Sequence, residues 1–138
     1  MMYLHFPLPH TTVIITDTME NSQEIQFKLE TNGVGTILLT RPRALNALTL
    51  DMIRRMTSVL KLWDQDDQVK MIIVKGEGDR AFCSGGDVKS IAKAKGETFQ
   101  TDFIREEYQL DYLISQLTTP YIAVWDGVVM GGGVGISR

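Results

Sequence analysis

The sequence holds a single cysteine, Cys83, in 138 residues. No disulfide can close within the chain, and a reducing compartment is the simpler setting. Its two histidines, His5 and His10, both sit in the first ten residues, so the body of the chain lacks the usual general base. No cluster of residues has the spacing of metal ligands, and no metal is expected. No apolar run approaches the ~20 residues that a membrane-spanning helix needs. A basic surplus is also absent: 14 Lys and Arg stand against 17 Asp and Glu, for a net charge of −3. Neither nucleic acid nor an anionic membrane surface is therefore expected as a partner. The first 21 residues contain no arginine, no basic n-region and no small-residue cleavage pattern, which fits neither a secretory signal nor a mitochondrial presequence. Residues 1–21 are read as an extension outside the fold, with TTVIIT (11–16) as a candidate edge strand.

What remains is the composition of a folded domain, 43% hydrophobic and 22% charged, long enough to bury a core. EIQFKLE (24–30) alternates apolar and polar residues, TNG (31–33) has turn chemistry, and VGTILLT (34–40) supplies a second strand, so 24–40 reads as a β-hairpin. RPRALNAL (41–48) is a loop opened by Pro42. Thr49 suits the cap of a helix whose apolar face carries Leu48, Met52, Met56, Val59, Leu60 and Trp63. VKMIIVKG (69–76) and YIAVWDG (121–127) read as strands buried on both faces. Between them lie a loop (77–87), a short helical stretch (88–95) and a longer helix (101–117) capped by Thr101. Strands alternating with helices imply a layered α/β fold.

Two loops carry glycines after apolar strands: CSGGD (83–87) and MGGGVGIS (130–137). Glycine lets the backbone turn tightly and lets a ligand approach the main chain. Two such loops can each aim one N–H at the same oxygen, forming an oxyanion hole. Each run taken alone also suits a tight structural turn. The second lacks the G-K-[ST] of a phosphate-binding loop, and neither has dinucleotide spacing.

FIREEYQL (103–110) places Phe103 and Leu110 on the apolar face of the long helix, with Glu106 and Glu107 at its opposite edges. A carboxylate at an apolar boundary is costly unless paired and is a candidate for a raised pKa. Helix phase alone leaves open which of the two it is, and leaves open a surface pairing with Arg105 or a lysine. Cys83, beside Phe82 and with no base at hand, reads as a small buried residue. Lys89, Lys93 and Lys95 read as a solvated face.

Taken together, LTRPRALNAL (39–48), AFCSGGDVK (81–89) and AVWDGVVMGGGVGIS (123–137) resemble the crotonase (enoyl-CoA hydratase/isomerase) superfamily across about residues 24–138. FIREEY with MGGGVGIS is most similar to its 3-hydroxyisobutyryl-CoA hydrolase branch. The resemblance implies a crotonase-like ββα spiral fold, with residues 22–138 as a partial acyl-CoA-binding domain. It implies hydrolysis of an acyl-CoA thioester in valine catabolism, with no cofactor apart from the CoA of the substrate, and by analogy a mitochondrial setting, with a cytoplasmic or peroxisomal one as the alternative. It assigns the oxyanion hole to the backbone N–H groups of Gly86 and Gly132. It assigns substrate contacts to Glu107, Arg43, Ala44, Leu45, Ala47, Asp87 and Val88.

Hydratases of the superfamily carry a catalytic glutamate where this chain has Gly135, which turns the expectation away from hydration. The branch's own catalytic acids, a glutamate and an aspartate, are expected beyond Arg138. The fold is thus expected to be truncated before its C-terminal half. The competing expectations are a non-catalytic form, able to associate with full-length subunits, and an isomerase or hydratase of the same superfamily. A truncated fold is also expected to be only marginally stable.

Overall fold

The computed structural model describes residues 12–14 and 22–138 apart from Lys95. Alternation does what the sequence requires in β2 (Ile25–Glu30), where Ile25, Phe27 and Leu29 are buried and the intervening side chains are exposed. β2 pairs antiparallel with β3 (Val34–Leu39), from Ile25 opposite Leu39 to Leu29 opposite Gly35. The turn closes through Gly33, at φ 88°, and through the Asn32 side-chain oxygen, which accepts from the Val34 N–H at 3.1 Å. β1 (Thr12–Ile14) adds to the outer edge of β2, antiparallel, inside the stretch read as a candidate edge strand. The rest of the 1–21 extension lies outside the described residues.

Thr49 caps α1 (Leu50–Asp64) as expected: its hydroxyl accepts from the Met52 N–H at 3.2 Å. The buried face of α1 runs from Leu50 to Trp63, and the Trp63 ring meets Phe27 edge-on at 6.3 Å. α1 leads into β4 (Met71–Gly76), parallel to β3, and β6 (Tyr121–Val124) lies parallel to β4 in turn. The five-stranded sheet has the order β1-β2-β3-β4-β6. A parallel pair needs a long crossover. α1 supplies the first, and α2 (Val88–Lys93) with α3 (Glu97–Ser115) lies in the second. α3 packs on α1, so the helices build a layer over the core.

A second, two-stranded sheet positions the site. β5 (Ala81–Cys83) pairs in parallel with β7 (Val128–Val129), Ala81 opposite Val128 and Cys83 opposite Val129. Parallel strands end side by side, so the glycine loops that follow them emerge together. The second loop leads into α4 (Gly132–Gly135).

The structure departs from the sequence reading in several places. The long helix starts four residues early, at Glu97, and Thr101 lies inside it; its N-cap is Gly96, with no side-chain cap. The short helix ends at Lys93. Residues 81–83, within a stretch read as loop, form β5, because their partner β7 lies 47 residues further on. The strand expected over 121–127 stops at Val124, and Gly127, at φ 102°, separates it from β7. The expected two-sided burial also fails. β4 buries Ile72 and Val74 while Met71 and Ile73 are only half-buried. β6 alternates in the same way: Tyr121 and Ala123 are half-buried on one face, while Ile122 and Val124 on the other are 46% and 44% exposed.

Candidate functional site

The loop over 41–48 is stitched to the loop after β5 by backbone hydrogen bonds. The Ser84 N–H donates to Leu45 O at 3.0 Å, Leu48 N–H to Gly85 O at 2.8 Å, and Asp87 N–H to Leu48 O at 2.8 Å. Buried Asn46, in the left-handed region at φ 53°, anchors this loop from within. Its amide donates to Ala81 O at 2.9 Å and Glu77 O at 3.1 Å, and its oxygen accepts from the Arg41 N–H at 2.9 Å. Arg41 then reaches across to Asp87 at 2.9 Å and donates to Ala47 O at 2.7 Å.

The second loop docks on the first. The Met130 N–H donates to Cys83 O at 3.1 Å. Gly85, at φ 106°, faces it so closely that a side-chain carbon there would lie 3.0 Å from Met130 O and 3.3 Å from the Gly132 nitrogen. Neither the Gly86 nor the Gly132 N–H donates to another of the described residues. The Glu107 carboxylate, brought over from α3, packs directly against the α-carbon of Gly132. A side-chain carbon on Gly132 would overlap Glu107 Oε1 while lying 3.6 Å from the Gly86 nitrogen. Gly86, Gly132 and Glu107 therefore converge on one point.

Asp111, one turn further along α3, stands over Gly135 in the same way. A carbon on Gly135 would lie 2.7 Å from Asp111 Oδ1 and 2.8 Å from its Cγ. Burial pushes the Glu107 carboxyl above the usual carboxylate range, and the neighbouring charge of Asp111 pushes it further. Burial also raises Asp111, against the opposing pull of Arg138. Asp111 Oδ1 is buried with no hydrogen-bond partner among the described residues. Nearby, the Tyr121 hydroxyl donates to Ile136 O at 2.6 Å, and burial holds it in its protonated form.

The tie between the two glutamates is broken by packing. Glu106 faces α1 and takes a two-pronged contact from Arg54, at 2.9 to 3.1 Å, while Glu107 faces the glycines. Arg105 pairs instead with Asp102. Cys83 is buried, and its thiol is pushed up to about 11, chiefly by burial, which makes it a poor nucleophile.

The residues expected to contact substrate separate into three groups. Gly86, Gly132 and Glu107 come together. Arg43, Ala44 and Val88 lie on the outer surface, with Leu45 half-buried beside them at φ 53°. Ala47 and Asp87 are turned inward. The Asp87 carboxylate is committed to Arg41 and to the cap of α2, where it accepts from the Ser90 N–H at 3.2 Å and the Ser90 hydroxyl at 2.9 Å. Sequence reasoning missed Arg41, Asn46 and Asp111. Asp111 carried a signal, since it lies four residues from Glu107 and so on the same helix face. Asn46 carried a weaker one, as a residue type that tolerates the left-handed region.

No group of three or more His, Cys, Asp and Glu able to hold a metal occurs among the described residues, and no helix among them is long and apolar enough to cross a membrane. Chemically, two free amides beside a carboxyl whose hold on its proton is strengthened by burial can stabilise negative charge growing on an oxygen.

These features define a class: a layered α/β domain that presents unengaged backbone amides from two glycine loops at the ends of paired parallel strands. The chain belongs to the enoyl-CoA hydratase/isomerase family, whose model matches residues 34–138. It is 50% identical over 107 residues to the mitochondrial 3-hydroxyisobutyryl-CoA hydrolase of Gallus gallus, covering 76% of this chain and 28% of that protein. To the Rattus norvegicus protein of the same name it is 46% identical over 121 residues, covering 86% of this chain and 31% of that one. A crystal structure of a carnitinyl-CoA dehydratase from Mycobacterium thermoresistibile superposes with a TM-score of 0.77 at 39% identity, covering 83% of this chain and 34% of that one. The fold is thus the N-terminal part of a crotonase fold, and the chain spans under a third of the length of these curated relatives.

Proposed function

We propose that this chain binds an acyl-CoA thioester and polarises its carbonyl for hydrolysis, with 3-hydroxyisobutyryl-CoA as the substrate, in valine breakdown. The observation that carries the reading is the convergence of the Gly86 amide, Gly132 and the Glu107 carboxyl on one point. The thioester oxygen accepts from the two glycine N–H groups, and a protonated Glu107 sits beside it as a third donor. Water adds to the carbonyl carbon, the C–S bond breaks, and the proton from water ends on the CoA sulfur. Exposed Arg43, Ala44 and Val88, with Leu45, are suited to meet the CoA moiety. Asp87 and Ala47 act in this reading by holding the two loops in register. No cofactor is required.

Two considerations favour hydrolysis over hydration. The relatives above are named hydrolases, and Gly135 offers no side-chain carboxylate of its own. The names of those relatives also support a mitochondrial compartment for this chain.

The test is CoA release from 3-hydroxyisobutyryl-CoA, followed with a thiol reagent, by a full-length relative and by this chain. It is joined to binding of acetonyl-CoA, a ketone analogue that keeps the carbonyl and cannot be hydrolysed. Hydrolysis by the relative and saturable binding by this chain are expected. No release by the relative overturns the substrate assignment, and no binding by this chain overturns the carbonyl-polarising role.

A further inference from the structure

The Glu107 carboxylate covers Gly132, and one helical turn away the Asp111 carboxylate covers Gly135. Both carboxylates thus lie against the same four-residue stretch that follows the second glycine loop. Two acids at i and i+4 on a helix repel when both are ionised. Here they are also drawn away from water, since both are partly buried and Asp111 Oδ1 has no partner among the described residues. A pair so placed resists carrying two charges.

The remaining groups facing the pair come from three elements. Cys83 of β5 lies within electrostatic reach of Glu107, and Tyr121 of β6 and the Arg138 guanidinium following α4 lie within electrostatic reach of Asp111. Cys83 and Tyr121 keep their own protons, so Arg138 is the only cation of the set, and it favours charge on Asp111. The charge of Asp111 acting on Glu107 and that of Arg138 acting on Asp111 both bias the proton of the pair toward Glu107, the member beside the two glycine amides. There it matters most: an ionised Glu107 would repel an oxyanion, whereas a protonated one can donate to it.

We propose that Asp111 is a positioning residue of the thioester site: standing over Gly135, it forms a coupled carboxylate pair with Glu107 and keeps Glu107 as a hydrogen-bond donor toward the carbonyl oxygen. The inference rests on the thioester reading above. It also accounts for Gly135, because any side chain there would displace the Asp111 carboxylate.

The test reads the proton directly. Side-chain carboxyl carbons of Glu and Asp are labelled with carbon-13, and the titration of Glu107 is followed by NMR in the 138-residue chain and in Asp111→Asn. Acetonyl-CoA binding is measured across the same pH range. The midpoint of Glu107 is expected to fall in Asp111→Asn, and the pH above which binding weakens is expected to fall with it. Arg138→Gln, an exposed change that leaves the buried acid in place, is expected to raise the Asp111 midpoint. An unmoved Glu107 midpoint in a folded Asp111→Asn protein overturns the proposal, and so does a binding profile identical to the parent's. A moved midpoint with no acetonyl-CoA binding by either protein upholds the pair and removes the thioester assignment.

Discussion

The α-carbon of Gly132 is in contact with the carboxylate of Glu107, a residue 25 positions earlier on a different element, and no side chain fits between them. A Gly132→Ala substitution therefore forces Glu107 aside. Because the colliding oxygen is the movable end of a side chain, the loss of stability is expected to stay below the roughly 1–3 kcal/mol typical of overpacking in a rigid core. Glu107→Ala in the same chain should return most of that loss, since the colliding oxygen is gone. Thermal or urea unfolding of the two single variants and the double variant checks this. Simple additivity of the two changes would show that the contact carries no energy.

The two adjacent glutamates are expected to behave oppositely. Glu106 makes a surface pair with Arg54, so Glu106→Ala should alter stability by no more than about 1 kcal/mol and leave acetonyl-CoA affinity unchanged. Glu107→Ala should weaken that affinity roughly threefold to tenfold, the worth of one ordinary hydrogen bond. Calorimetric titration of both variants separates them.

Asp87 should make stability depend on acid. Burial alone would raise its carboxyl, but hydrogen bonds from Ser90 and the charge and hydrogen bond of Arg41 outweigh burial and hold it below the ordinary carboxylate range. A depressed folded-state pKa gives stability that is present above the unfolded value and lost as pH falls through the folded one. Asp87→Ala is expected to cost about 1.5–3 kcal/mol at neutral pH, as for a hydrogen bond to a charged group. The gap between parent and variant should close on acidification. Urea midpoints measured from pH 7 downward test the sign.

Cys83 should be silent until the chain unfolds. With its thiol buried and pushed up to about 11, almost no thiolate exists at pH 8, and it is shielded from reagent. Iodoacetamide should modify it slowly in the native protein and fast in denaturant. Rapid native labelling would show that the floor of the glycine loops opens readily.

Periodicity carried the β2–β3 hairpin, α1 and the existence of β4 and β6, because each rests on contacts or patterns within about fifteen residues. β5 and β7 were hidden because each is two or three residues long and exists only by pairing with the other. The early start of α3 was hidden too, since Gly96 gives no capping side chain to read. In the site, the glycines were legible as loops, and their link to a carbonyl came through family resemblance. Periodicity could not choose between Glu106 and Glu107, because the deciding contacts, Arg54 on one side and Gly132 on the other, belong to other elements. The inward turn of Asp87 was likewise set by Arg41, 46 residues away.

The strand order β1-β2-β3-β4-β6 runs in the direction of the chain itself. A sheet ordered in this way can grow from one edge as the polypeptide leaves the ribosome. In that order the hairpin can close first, β4 can join its free side once α1 has been made, and β6 can join β4 after α3. No strand has to be threaded between two that are already paired, so each addition to the main sheet can proceed without undoing the last.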